Sequence, residues 1–263
     1  RQLPQEESEK ITAALLAAAL LFSLSSCGSW RPSDSDDAGS QQESTVPGSS
    51  TVPSENETPE TEEKETMNNR PVVYMTTDIS PQGLMAVYKA MGWTPTGKVA
   101  VKLSTGEPPA SNYLDPDLIA DLVRTVDGTI VECNTAYGGS RAETAMHYQV
   151  AEDHGFTAIA DFQIQDENGS MALPVEGGTR LTENYVGAAF ADYDSYLVLS
   201  HFKGHAMAGF GGAIKNISIG LASSEGKAWI HSGGTSRANI WGGEQDAFLE
   251  SMAEAGKSVS DAL

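Results

Sequence analysis

The stretch Tyr196-Leu-Val-Leu-Ser-His-Phe-Lys-Gly-His-Ala-Met-Ala-Gly-Phe-Gly-Gly-Ala-Ile-Lys-Asn-Ile-Ser-Ile-Gly220 decides how this chain is read. It opens with an apolar, strand-like run, Tyr196 to Leu199, and breaks into a loop carrying His201, Lys203 and His205. Gly209, Gly211 and Gly212 follow, and Lys215 then falls in a segment that predicts the start of a helix. Open α/β sheets place their ligands beyond the carboxyl ends of the strands. Glycines let backbone N–H groups approach an anion closely, and a helix start adds partial positive charge. The loop is neither a P-loop nor a G-x-G-x-x-G fingerprint. Spacing alone therefore leaves two readings, a ligand site or a tight structural turn. Two histidines in one short loop, which packing explains poorly, favour the site.

Working outward, the same alternation recurs. Pro71 to Met75 reads as a strand, and Ser80-Pro81 starts a helix that runs to about Met91, with the N-cap before the proline. Lys98 to Leu103 reads as a second strand, followed by the loop Ser104 to Tyr113. Asp115-Pro116 caps a helix with Leu118, Ile119, Leu122 and Val123 on one face. Thr129 to Cys133 reads as a third strand ending in the loop Asn134 to Arg141. A helix from Ala142 to His154 is closed by Gly155. Short strands are expected around Thr157 to Ala160, Ser170 to Val175 and Tyr196 to Ser200, and a last helix from about Gly243 to Lys257. This alternation predicts an α/β fold, a Rossmann-like, mostly parallel sheet with helices on both faces. The sequence stops at Leu263 just after a helix with no closing strand, so a C-terminally truncated domain is expected.

In a parallel sheet the loops that follow strands share one edge. Glu107, Asn134, Ser140, Arg141, His201, Lys203, His205 and Lys215 should then converge, and the glycine-rich segment Gly226 to Thr235 adds His231. His201 and His205 suit a metal by type, but two ligands are too few. As alternatives they are hydrogen-bonded loop histidines. Lys215 reads as a partner for phosphate or carboxylate, as a reactive amine if desolvated, or as half of a salt bridge. Glu107 and Arg141 are the candidates to orient a polar ligand. Cys133, at a strand end, reads as a small buried hydrophobe rather than a nucleophile. His147 and His154 are expected near a helix C-terminus, where they favour the dipole.

The N-terminal part is of another kind. Arg1 and Lys10 precede an apolar run from Ile11 to Leu24, too short to span a bilayer comfortably, and Ser25-Ser26-Cys27 follows. Residues 1–27 therefore read as a lipoprotein export signal, because Leu24-Ser25-Ser26-Cys27 resembles a bacterial lipobox in which Cys27 is lipidated. Residues 28–69 hold ten acidic and two basic side chains among Ser, Thr and Pro, and are expected to be a disordered tether. Residues 70–263 then form one domain, lipid-anchored outside the cytoplasm. The net charge of −20 makes nucleic acid an unfavourable partner. The two cysteines leave Cys133 without an intramolecular disulfide partner if Cys27 is lipidated.

Four segments carry a family resemblance. Tyr74-Met-Thr-Thr-Asp-Ile-Ser-Pro81, Val101-Lys-Leu-Ser-Thr-Gly-Glu-Pro108, Val131-Glu-Cys-Asn-Thr-Ala-Tyr-Gly-Gly139 and Ser200 to Asn216 resemble the bacterial and archaeal domain of unknown function 362. That family is often associated with iron–sulfur modules. The resemblance implies a cluster only where a further C-terminal part supplies cysteines. A more distant likeness is to the nickel-pincer lactate racemases, because His205, Lys215 and His231 follow one another at ten and sixteen residues around a Gly-Phe-Gly-Gly turn. That likeness implies His205 as a proton- or hydride-transfer partner, Lys215 as a covalent cofactor anchor and His231 as a metal ligand. The racemases carry another catalytic histidine in a Gly-Thr-His-Arg-like loop, where Gly138-Gly-Ser-Arg141 has Ser140.

Two functions are consistent with these residues. One is a redox or cofactor- or metal-dependent enzyme with a His/Lys glycine-rich cleft. The other is a tethered lipoprotein that binds a small anionic ligand without turning it over. Ser140 in place of a base favours binding, and the clustered histidines favour a metal or cofactor.

Overall fold

Four parallel strands form the centre of the molecule in the order β3-β2-β1-β6. The computed structural model describes residues 71–109 and 113–263; the expected export signal and tether lie outside the described residues. The sheet strands are β1 (Val99–Lys102), β2 (Gly128–Glu132), β3 (Phe162–Ile164) and β6 (Ser195–Val198). Helix α1 (Pro81–Met91) precedes β1, α2 (Pro116–Thr125) joins β1 to β2, and α3 (Thr144–Asp153) joins β2 to β3. A separate antiparallel pair, β4 (Ser170–Pro174) and β5 (Glu183–Gly187), comes before β6. After β6 come the hairpin β7 (Lys203–His205) and β8 (Gly209–Gly211), then α4 (Ala213–Leu221), α5 (Ser224–His231) and α6 (Gln245–Ala262).

Local signals explain the helix starts. Ser80 accepts a hydrogen bond from the Gly83 amide at 3.1 Å, and Asp115 accepts one from Asp117 at 2.9 Å, each just before a proline. Proline lacks the N–H that would be orphaned there, and the cap satisfies the next ones. Gly92, at φ 64°, ends α1 in the left-handed conformation that glycine adopts without cost.

Both faces of the sheet are covered, as the alternating pattern predicts. Val99, Val101, Leu103, Ile130 and Leu197 pack against Ile119, Leu122 and Val123 of α2, with Leu84, Met85 and Tyr88 of α1 alongside. On the other face Ala100 and Val131 meet Leu221 of α4, Val259 of α6 and the β4–β5 pair. Strands buried on both sides read as near-continuous apolar runs, which is how β1 and β2 were legible.

The topology sets the site. From β1 to β2 to β3 the chain steps outward in one direction, and it then returns to place β6 on the opposite side of β1. The order of strands thus reverses between β1 and β6. At such a reversal the connections leave to opposite faces and open a crevice beyond the strand ends.

Several expected elements differ. Pro71 to Met75 forms no strand: Val72, Val73 and Met75 are exposed, and no described strand pairs with them. β-branched residues make a strand only where an edge accepts their backbone, so the apolar run misled. Phe156–Ala158 is a turn of 3₁₀ helix rather than part of a strand, and the strand comes later, at Phe162–Ile164. Ser170–Pro174 is a strand, but it pairs outside the parallel sheet. The glycine-rich segment Gly226 to Thr235 is helix α5 as far as His231, capped by Ser223. Helix α6 extends to Ala262, beyond the expected Lys257. No described helix is long and apolar enough to cross a membrane.

Ile130 is fully buried at the centre of the larger cluster. Ile130→Ala is expected to lower unfolding free energy by about 2–5 kcal/mol, through lost transfer energy and a residual cavity. Urea denaturation followed by circular dichroism would measure it.

Candidate functional site

The crevice between the ends of β1 and β6 is a cavity of about 360 Å³, lined by loops between Lys102 and Trp241 and by helices α4 and α5. That size lies at the low end for small-molecule pockets, which run from roughly 300 to 1,000 Å³. Its charge is opposite to that of the whole protein: Lys102, Arg141, Lys203, Lys215 and Lys227 face it, against Glu107 and Glu132.

Two of those cations are already committed. Glu132, at the end of β2, is fully buried and is the hub. Its Oε2 accepts from Lys102 Nζ at 2.8 Å, and its Oε1 accepts from the Thr105 amide at 3.0 Å and from Arg141 Nη1 at 3.3 Å. Burial alone would raise this carboxyl, but the Lys102 ammonium and the Arg141 guanidinium outweigh it and hold it at about 2. Arg141 also donates through Nε to Glu107 at 3.0 Å, and Tyr137 Oη donates to the same carboxylate at 2.8 Å. The loops after β1 and β2 are thereby tied together. Lys102 Nζ, 0 % exposed as a residue, donates further to Asn216 Oδ1 of α4 at 2.9 Å and to the Leu103 carbonyl. Asn216 in turn donates to the Leu199 carbonyl at 3.2 Å and to Ser200 Oγ at 3.0 Å. Gly220 of α4 lies so close that a Cβ there would stand 2.8 Å from Lys102 Nζ, so the helix approaches the lysine only without a side chain.

Lys227 is buried and also spoken for. Its ammonium donates to the carbonyls of Ala222 at 2.5 Å and Cys133 at 3.4 Å. Cys133 itself is sealed, with its thiol pushed by burial up to about 12, so it is inert as a nucleophile at neutral pH.

Lys215 is different. It sits in the first turn of α4, half-buried, and no hydrogen bond or ion pair holds its ammonium among the described residues. Burial and the neighbouring Lys203 and Lys227 lower it to about 8. The N-cap of α4 is Gly212, which has no side chain to occupy the first amides of the helix. The glycine-rich loop thus delivers an uncapped helix start and a sheltered ammonium to one place. In a helix the Cα–Cβ bond tilts toward the N-terminus, which directs Lys215 to that same end.

The two histidines of the cavity are held in opposite tautomers. His205 Nδ1 accepts from the backbone amides of Met207 at 3.3 Å and Ala208 at 3.1 Å, so its proton is on Nε2. His231 Nδ1 lies 2.7 Å from the Lys227 carbonyl, which can only accept, so this ring carries its proton on Nδ1 and keeps a lone pair on Nε2. Burial, with Lys215 and Lys203, pushes His205 down to about 4; burial and the same lysine cluster also lower His231. Both rings are neutral at pH 7, one a donor and the other an acceptor.

Of the residues expected here, Glu107, Arg141, His201, Lys203, His205, Gly211, Gly212, Lys215 and His231 line the cavity. Ser140 and Gly209 do not. Ser140 lies in the outer part of the 134–141 loop, and Gly209, at φ 73°, turns the β7–β8 hairpin. Asn134 is also elsewhere, beneath the floor, with His147 Nδ1 at 3.2 Å from its Oδ1. His147 is fully buried in α3, not at a helix end, and burial lowers it to about 4. His154 does follow the last turn of α3, stacked on Tyr113.

A metal held by His231, which the racemase likeness implies as a ligand, together with His205, which suits a metal by type, fits poorly. Among the described residues no three His, Cys, Asp or Glu side chains are grouped to hold a metal ion. Backbone amides also occupy the lone pair of His205 Nδ1, and its Nε2 carries the proton a metal would have to displace.

Sequence reasoning missed Lys102, Glu132, Lys227 and Asn216. The first two stand inside apolar strand runs, and a charged residue in a strand buried on both faces is a signal for a buried pair. Nothing local distinguishes Lys227 or Asn216.

Glu132→Gln should destabilise the domain by about 3–5 kcal/mol, because it leaves two cations facing a neutral amide in the interior. The acid branch follows from the depressed carboxyl. Above its ordinary value of 4.5 the group contributes its full stabilisation. Below that, the unfolded chain takes up a proton that the folded one refuses, and stability declines until pH about 2. Urea midpoints from pH 6 downward should fall less steeply in Glu132→Gln than in the native chain.

No curated protein matches this sequence. A family model does, the one described as Domain of unknown function (DUF362), over residues 99–263. That span covers more than half of the chain and includes β1, β2, β6, the glycine-rich hairpin and every residue named in the cavity, so this chain belongs to the family of the domain of unknown function 362.

Proposed function

We propose that the β1–β6 crevice binds a small anionic ligand at the start of α4. The observation that carries this reading is the uncapped helix start at Gly212 together with the sheltered, unpaired ammonium of Lys215. The committed charges give it meaning. Glu132 and Glu107 are paired with Lys102 and Arg141, and among the described residues no ion pair holds Lys215 or Lys203. Free backbone amides and a helix dipole favour an anion at the same spot. Carboxylates and phosphates are the fitting classes.

A catalytic reading is favoured by the histidine pair. A neutral donor and a neutral acceptor facing one cavity can give and take a proton at the same ligand, which is general acid–base work. Redox chemistry with a cofactor is compatible with that pair, though no step needs a metal held by His205 and His231. The same reading places the domain outside the cytoplasm on a lipid anchor at Cys27. Its support is the Leu24-Ser25-Ser26-Cys27 pattern and the acidic segment after it.

The test is a titration of the full chain with inorganic phosphate and with acetate, read as thermal stabilisation. A saturable shift is expected, reduced about tenfold in affinity or more by Lys215→Met, in line with loss of one charge-assisted contact of about 1.5–3 kcal/mol. Binding should weaken above pH about 8, where Lys215 loses its proton and with it the charge that attracts the anion. No shift with either anion, or a shift unchanged in Lys215→Met, would overturn the reading.

A further inference from the structure

Four lysines face the cavity, and their surroundings differ. Lys102 is bonded to Glu132 and Asn216, and Lys227 to two carbonyls. Lys203 is exposed on the hairpin, where water solvates it. Lys215 alone is sheltered and without a partner among the described residues. The charges that act most strongly on it are cations, Lys203 from β7, Lys227 from α5, Lys102 from β1 and Arg141 from the loop after β2, and the two carboxylates that line the same cavity, Glu132 and Glu107, are bonded to Lys102 and Arg141. His205 from β7 and His231 from α5 are neutral. It also sits in the first turn of α4, where the helix dipole disfavours a cation. An ammonium placed among cations, at the positive end of a helix and out of water, gives up its proton readily and becomes a nucleophilic amine.

We propose that Lys215 is a covalent site that forms an imine with a carbonyl compound carrying an anionic group. This rests on the anion-binding reading, since the α4 start and Lys203 hold the charged end of that compound while Lys215 meets its carbonyl. In the first step the amine nitrogen bonds to the carbonyl carbon, and the C=O electron pair moves to oxygen. His205 Nε2–H hydrogen-bonds that oxygen, while His231 Nε2 takes one proton from the nitrogen and passes it to the oxygen, which gives a neutral carbinolamine. In the second step the nitrogen lone pair forms the C=N bond as the C–O bond breaks, and the oxygen leaves as water with the last nitrogen proton, again carried by His231. Amine and carbonyl thus give imine and water, with no oxidant or reductant. The opposite tautomers of the two rings suit these two roles.

The test uses the full chain, glyoxylate as the smallest carboxylate-bearing aldehyde, and borohydride to reduce any imine to a stable secondary amine, with peptide mass mapping. The adduct is expected on Lys215, formed about tenfold faster or more than on an ordinary lysine side chain at pH 7, because burial lowers Lys215 from 10.5 to about 8 and raises its share of free amine. Labelling should rise as the pH is taken up toward about 8. Excess inorganic phosphate should suppress it by occupying the α4 start. Lys215→Arg should lose the adduct while its circular dichroism spectrum and urea midpoint stay native, which shows that the variant is folded. His231→Gln should slow labelling of Lys215 several-fold while its circular dichroism spectrum stays native. Labelling spread evenly over exposed lysines, with the phosphate shift intact, overturns the imine and leaves the anion site standing. Loss of both the shift and the adduct in the native chain overturns both readings.

Discussion

The buried carboxylate of Glu132 is the constraint on which the rest of this site depends. A carboxylate with no exposure is tolerated only when its charge is answered and its oxygens are bonded. Lys102 from β1, Arg141 from the 134–141 loop and the Thr105 amide supply this, and each is drawn from a different segment. Arg141 then reaches Glu107 and Lys102 reaches Asn216, so the ends of β1, β2 and β6 and the start of α4 are registered against one another. A buried ion pair adds little net stability compared with apolar packing. Here its consequence is positional, in holding the crevice open in one shape.

That network also sorts the charges of the cavity. The two carboxylates spend themselves on Lys102 and Arg141, and Lys227 is turned to backbone carbonyls. Among the described residues, Lys215 on α4 and Lys203 at the rim have no ion-pair partner. A protein of net charge −20 thus keeps a local excess of positive charge where its strand order reverses. The aromatic side chains of Phe202 and Phe210, 5.4 Å apart between centroids, stand exposed on the hairpin, and Trp241, 71 % exposed, lies at the rim of the cavity.

Much of the fold was legible because it is written in short-range signals. Ser80-Pro81 and Asp115-Pro116 announced their helices through capping chemistry that depends on neighbouring residues alone. Lys98 to Leu103 and Thr129 to Cys133 announced strands by short runs of β-branched and apolar residues, with Lys102 and Glu132 as charged interruptions. The failures came where the outcome depends on a distant partner. Val72 and Val73 carry strand propensity as strong as that of Val99 and Val101, yet no sheet edge among the described residues accepts them. Ser170–Pro174 was readable as a strand, but its partner, Glu183–Gly187, and its separation from the parallel sheet were not.

The sequence by itself determined the class of the fold, the glycine-rich approach to Lys215, and the presence of His201, Lys203, His205 and His231 around it. These follow from periodicity, caps and composition, which are local. Only the tertiary structure decided which of the converging residues face one cavity. It left Ser140 and Asn134 outside, brought in Lys102, Glu132, Lys227 and Asn216, and gave His205 and His231 opposite tautomers through different backbone partners. The reason is physical: a charge state or a tautomer is set by the few groups within hydrogen-bonding distance. For Glu132 and Lys102 those groups come from residues 30 and 114 positions away in the chain.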